Sequence, residues 1–138
     1  MKLSRLFVVA VIAVSSLQAI ARQSVPVVDV EGPIALTASG EAPTLEQVKQ
    51  AIFRAAPVHG WAVREAAPGV MLATLDVRGK HMVVTEIRYS AEKYSITLVQ
   101  SNNLNQGMDK DGKNVIHPSY NKWTHTLSVD IRQALAQP

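Results

Sequence analysis

From Thr44 onward the apolar positions follow two different periods. Leu45, Val48, Ile52 and Ala55 recur at helical spacing, so a helix here has one apolar face. Thr44 is placed as its N-cap, with Gln47 three residues on to complete a capping box; Pro57 and Gly60 end it. Between Trp61 and Leu98 the period drops to two, and turn signals divide the stretch into four strands. A turn near Gly79 sets Leu75 opposite Val83 and Ala73 opposite Thr85. A turn over Ser90 to Lys93 pairs Tyr89 with Tyr94 and Ile87 with Ile96. A three-residue loop, Ala67 to Gly69, pairs Val63 with Ala73 and Trp61 with Leu75. These registers gather Trp61, Met71, Leu75, Val83, Ile87 and Ile96 on one face, and a one-residue slip would mix charged side chains into it. After Pro118, suited to a first helical turn, Trp123, Leu127, Ile131 and Leu135 follow at steps of four. The expected fold is α+β: a four-stranded antiparallel meander with an N-terminal and a C-terminal helix packed on one face, in the order α-β-β-β-β-α.

The chain before this domain reads differently. Lys2 and Arg5 precede the unbroken apolar run Leu6 to Val14, and Ala19 and Ala21 form an A-x-A pattern. That is the layout of a secretory signal peptide over residues 1–21, with cleavage expected between Ala21 and Arg22 and a periplasmic or secreted product. An uncleaved anchor is the competing reading, but the apolar run is short against the roughly 20 residues that span a bilayer. Residues 22–43 mix Pro, Gly and Ser with short apolar pieces. They read as a flexible tether or edge segment, Pro26 and Pro33 arguing against a central strand. Residues 44–138 make the single α+β domain.

Charge and composition narrow the partners. The full chain carries 14 basic and 11 acidic residues, but without Lys2 and Arg5 the balance is 12 against 11. The basic character therefore belongs largely to the leader, and no nucleic-acid partner is expected. Membrane contact is expected only through the signal peptide before cleavage. The absence of cysteine excludes thiol nucleophiles, thiolate metal sites and disulfide staples. The chain also lacks a G-x-S-x-G elbow, a phosphate-binding loop and an H-E-x-x-H pair.

The remaining candidates for chemistry are few. On a helix, His117 and His125 would lie about 12 Å apart along the axis, too far to share one zinc ion. Asp109 and Asp111 sit near a glycine, but Gly112 is two positions too early for a calcium loop. No metal, cofactor or catalytic residue is assigned. The outward sheet face carries Asp76 and Glu86, read as solvated charges beside Arg64 and Arg88. It also carries an apolar strip of Leu72, Met82, Val84 and Val99, with Val84 set opposite Val99. Either residues 22–43 cover this strip, or a partner, a ligand or a second copy uses it.

A second candidate site lies at the mouth of the last helix. The long connection Gln100 to His117 brings Asn102 and Asn103 toward His117, Tyr120, Asn121 and Lys122, where a helix N-terminus offers free N–H groups. These six residues could hold an anion or a sugar-like ligand. They could equally fasten the helix, with the Asn side chains satisfying the loop backbone.

The block "HGWAV…APGVMLATLDVRGKHMVVTEIRYSAEKYSI" followed by "SNNLN…IHPSYNKWTHTLSVDI" resembles a family of small uncharacterised exported proteins and lipoproteins of Gram-negative bacteria. The resemblance rests on Gly60, Trp61, Asn103, Leu104, Ile116, His117, Tyr120, Asn121, Trp123, Leu127, Asp130 and Ile131, and covers about residues 43–135. Many relatives carry a lipobox cysteine, and this chain has none. The resemblance implies a cell-envelope location and supplies no catalytic residues. The functional expectation is a non-enzymatic binding or interaction module that meets an unknown envelope component or protein. The alternatives are a small periplasmic enzyme or ligand-binding protein working at the helix mouth, or a purely interactive surface antigen.

Overall fold

The computed structural model describes residues 23–137, so the signal-peptide reading falls outside the described residues. Eight strands and two helices follow one another in chain order. Strands β1 (Val25–Pro26) and β2 (Val30–Pro33) precede helix α1 (Leu45–Ala55), which runs into a 3-10 turn, Ala56–His59. Strands β3 (Trp61–Ala67), β4 (Val70–Val77), β5 (His81–Tyr89) and β6 (Lys93–Asn102) come next, then the short strands β7 (Gly107–Met108) and β8 (Asn114–Ile116) and helix α2 (Ser119–Ala136).

The protein is α+β and antiparallel, but the expected single four-stranded meander is wrong. Five strands form one sheet in the order β2-β6-β5-β4-β3, and three form a second in the order β1-β8-β7. The physical reason lies in the edges. Strand β6 has a second edge beyond β5, and β2 satisfies it through Val30 to Pro33 pairing with Ile96 to Lys93. Strands of two to four residues carry too little alternation to be read as period two. Pro26 and Pro33 are accommodated because both lie on edge strands, where a missing N–H costs no ladder bond.

Within the larger sheet Leu75 faces Val83, Ile87 faces Ile96, and Trp61 faces Leu75. Two local details differ from the expected pairing. A bulge between Glu65 and Ala67 lets Ala67 pair with Val70, so the β3–β4 connection is the two-residue turn Pro68-Gly69. A second bulge pairs Val84 with Gln100 and Thr85 with Leu98. Val99 is the extra residue there, and it is not opposite Val84.

Helix α1 begins with the capping box, Thr44 Oγ1 accepting from Gln47 N and Gln47 Oε1 from Thr44 N. Gly60, with φ of 87°, turns the chain out of the 3-10 turn into β3. The core lies between the helices and the sheet: Val48, Ala51 and Ile52 of α1, Leu127 and Ile131 of α2, and Met71, Val83, Ile87 and Ile96 beneath them. Helix α2 buries Tyr120, Thr124 and Ser128 as well as Leu127, Ile131 and Leu135. The buried stripe is therefore wider than a step of four implies, and Trp123 lies at its margin, half-buried. The Tyr94 hydroxyl meets Ser128 Oγ within this core and ties β6 to α2. Among the described residues no helix is long and apolar enough to cross a membrane.

Candidate functional site

The long connection before α2 contains its own hairpin, β7–β8, whose tip is organised by Asp109. Its Oδ1 accepts from Asp111 N at 2.8 Å and from Lys113 N at 2.9 Å, a side-chain turn of the usual Asx kind. Asn103 and Asn105 take positive φ of 59° and 51°. Asparagine is tolerated in that left-handed region, so the loop's Asn content is used on backbone shape. Leu104 between them is buried, and its carbonyl accepts from His117 N at 2.8 Å.

The six helix-mouth residues do not converge on one point. Asn102 pairs with Met82 in the β5–β6 ladder and is exposed. Asn103 Nδ2 donates to Lys80 O at 3.0 Å, while the Asn103 carbonyl bonds His81 Nδ1 at 2.7 Å. Both contacts draw it to the β4–β5 hairpin. His117 Nδ1 accepts from Ser119 N at 3.1 Å, satisfying a free N–H of the first turn of α2. Lys122 is exposed.

Asn121 and Tyr120 complete the mouth. Asn121 Oδ1 accepts from Val28 N at 3.0 Å and its Nδ2 donates to Pro26 O at 3.0 Å, so the carboxamide acts like a strand edge toward the N-terminal arm. On the arm's other side β8 pairs Val25 with Ile116, and Val27 N donates to Asn114 O at 2.9 Å. The ring of Tyr120 is fully buried, and its hydroxyl has no hydrogen-bond partner among the described residues. Burial foremost, and the charge of Asp29 second, push its phenol well above the ordinary range.

The outward face of the large sheet carries Leu72, Thr74, Met82 and Val84, all half-buried, and Val99, 53% exposed at its bulge. The arm does not lie over this strip: β2 extends the sheet sideways, turning Val30 and Gly32 to the core side with Ile96 and Tyr94. Arg88 on the same face pairs with Glu86 at 2.5 Å. At the end of the face near the β5–β6 turn lies an open groove of 930 Å³, lined among others by Glu31, Pro33, Pro68, Arg88 and Lys93. A smaller groove of 420 Å³ runs beside α1, past Thr44, Gln50 and Arg54. None of the six helix-mouth residues lines either groove.

One pair escaped the sequence reading. His59 Nδ1 and Asp130 Oδ2 lie 2.6 Å apart, tying the 3-10 turn to α2. The Asp130 side chain is 10% exposed and that of His59 is 55% exposed. They stand 71 positions apart in the sequence, so no local spacing could join these two. No group of three His, Cys, Asp or Glu side chains that could hold a metal ion occurs among the described residues. Comparison with known proteins returned no matching family model, no matching curated protein and no matching solved structure.

Proposed function

We propose that this is an exported cell-envelope protein that works as a non-enzymatic interaction module, with the outward face of the five-stranded sheet meeting another envelope protein. The observation that carries this reading is the strip Leu72, Met82, Val84 and Val99, which lies on the side of the sheet away from both helices. Apolar side chains grouped on a sheet face away from the core are the usual mark of a contact surface. The helix-mouth side chains support the same reading from the other direction. His117 Nδ1, Asn103 Nδ2 and the whole Asn121 carboxamide already bond the protein's own backbone. The leader pattern and the resemblance to exported proteins supply the location.

A photocrosslinking residue at Val84, compared with one at the exposed Gln133 of α2, tests the reading in intact cells. The expected result is a discrete adduct from position 84 alone, in the envelope fraction, on a chain beginning at Arg22. Equal labelling at both positions, or retention of the full-length chain in the cytoplasm, overturns it.

A further inference from the structure

Residues 24–28 are held as a bound peptide would be. Successive backbone groups of an extended chain point to opposite sides, and here both sides are met. Val27 N faces β8 and bonds Asn114 O, while Pro26 O and Val28 N face α2 and bond the Asn121 carboxamide. Ser24 Oγ adds a contact to Asn105 O at 3.4 Å. Recognition by main-chain bonds, with alternate side chains turned inward, is the mode by which proteins capture an extended strand.

The slot and its occupant differ in permanence. Its walls are continuous with the core: Ile116 of β8, which pairs with Val25, and Tyr120, beside Asn121 in the first turn of α2, are both buried. In the arm Val25 and Val27 are only half-buried, Val28 is 55% exposed, and both Asn121 bonds lie in solvent. Few buried contacts and exposed backbone bonds mark a segment that opens locally while the rest stays folded.

We infer that the slot between β8 and the first turn of α2 is a receptor site for an extended peptide of a partner protein, and that residues 24–28 are its resident competitor. The ligand it fits is an uncharged strand with small β-branched side chains at alternate positions. The arm is tethered, so it competes at an effective concentration on the order of millimolar and keeps the site closed to weak ligands. This site is separate from the outward sheet face and stands or falls independently of it.

The test uses the full chain with Val25→Ser and Val27→Ser, which loosens the arm and leaves the slot intact. The probe is a fluorescein-labelled synthetic peptide with the sequence of residues 23–29, QSVPVVD. Fluorescence anisotropy is expected to show binding to this variant at least ten-fold tighter than to the wild type, and adding Asn121→Ala is expected to weaken it by about ten-fold. A variant that melts cooperatively yet binds no probe at millimolar concentration overturns the inference, as does binding that ignores Asn121→Ala. Hydrogen exchange on the unaltered protein is a second reading. The Val27 and Val28 amides are expected to exchange well ahead of those of β5, and exchange of both only with global unfolding overturns the inference.

Discussion

The carboxamide of Asn121 replaces a strand at the backbone of Val28. Its Oδ1 accepts from Val28 N and its Nδ2 reaches the carbonyl two residues earlier, each at 3.0 Å. Removing it should therefore loosen the arm without disturbing α2. Asn121→Ala is expected to cost about 1 to 2 kcal/mol, since two bonds in contact with water are lost. Asn121→Asp should cost at least as much, because it keeps the acceptor for Val28 but sets a carboxylate oxygen against the Pro26 carbonyl. Urea denaturation gives the first quantity, and faster hydrogen exchange confined to Val27 and Val28 identifies its source.

Tyr120 carries a buried hydroxyl with no partner among the described residues, so its removal should help. Tyr120→Phe is expected to stabilise the fold by about 1 kcal/mol, relieving the desolvation of that group. It should also change the alkaline limb. The folded phenol holds its proton above the ordinary tyrosine range, so its ionisation costs the fold nothing below about pH 10, and stability falls as pH rises further and the unfolded chain's phenol ionises first. Urea melts at pH 8 and above pH 10 should show a steeper loss in the wild type than in Tyr120→Phe.

Tyr94 and Ser128 meet in the core, joining β6 to α2. Tyr94→Phe alone leaves the serine hydroxyl buried without this partner and is expected to cost about 1 to 2 kcal/mol. Adding Ser128→Ala should recover part of that loss, because a buried pair removed together leaves no orphan. A double-mutant cycle by thermal melting measures the coupling.

Arg78 has φ of 56° beside Gly79 at 65°, so both central residues of the β4–β5 turn are left-handed. Asp76 Oδ1 supports the turn by accepting from Gly79 N at 2.9 Å. Arginine is strained there, whereas Asn-Gly suits such a turn. Arg78→Asn is expected to raise stability by about 0.5 to 1 kcal/mol, read as a higher denaturation midpoint with an unchanged slope.

Much of the central sheet was legible because each strand from Trp61 to Leu98 is long enough to alternate and is punctuated by turn residues. The α1 capping box was legible for the same local reason. Strands β1 and β2 were legible only as an edge segment somewhere in residues 22–43; β7, β8 and the bulge that displaces Val99 were not placed. Of the candidate residues, Asn121 and His117 were recognised as ambiguous between holding a ligand and fastening the helix. Which backbone groups they would meet was beyond reach: Asn121 acts on residues 93 and 95 positions away. Asp130 was visible only as a pattern position, and its histidine partner lies at the far end of the first helix.

The sequence by itself determined the α+β class, the central strand registers apart from the two bulges, the capping box of α1 and the side of the sheet that becomes core. All of these follow from interactions a few residues long, or from a hydrophobic pattern that only one register can bury. Tertiary structure decided how the sheet edges are closed, where the arm docks, and that Tyr120 rather than Trp123 is the aromatic sealed into α2's buried face. Those choices depend on unpaired backbone groups finding partners far along the chain. A peptide N–H or carbonyl presents the same chemistry at every residue, so only the folded geometry selects which one Asn121 will hold.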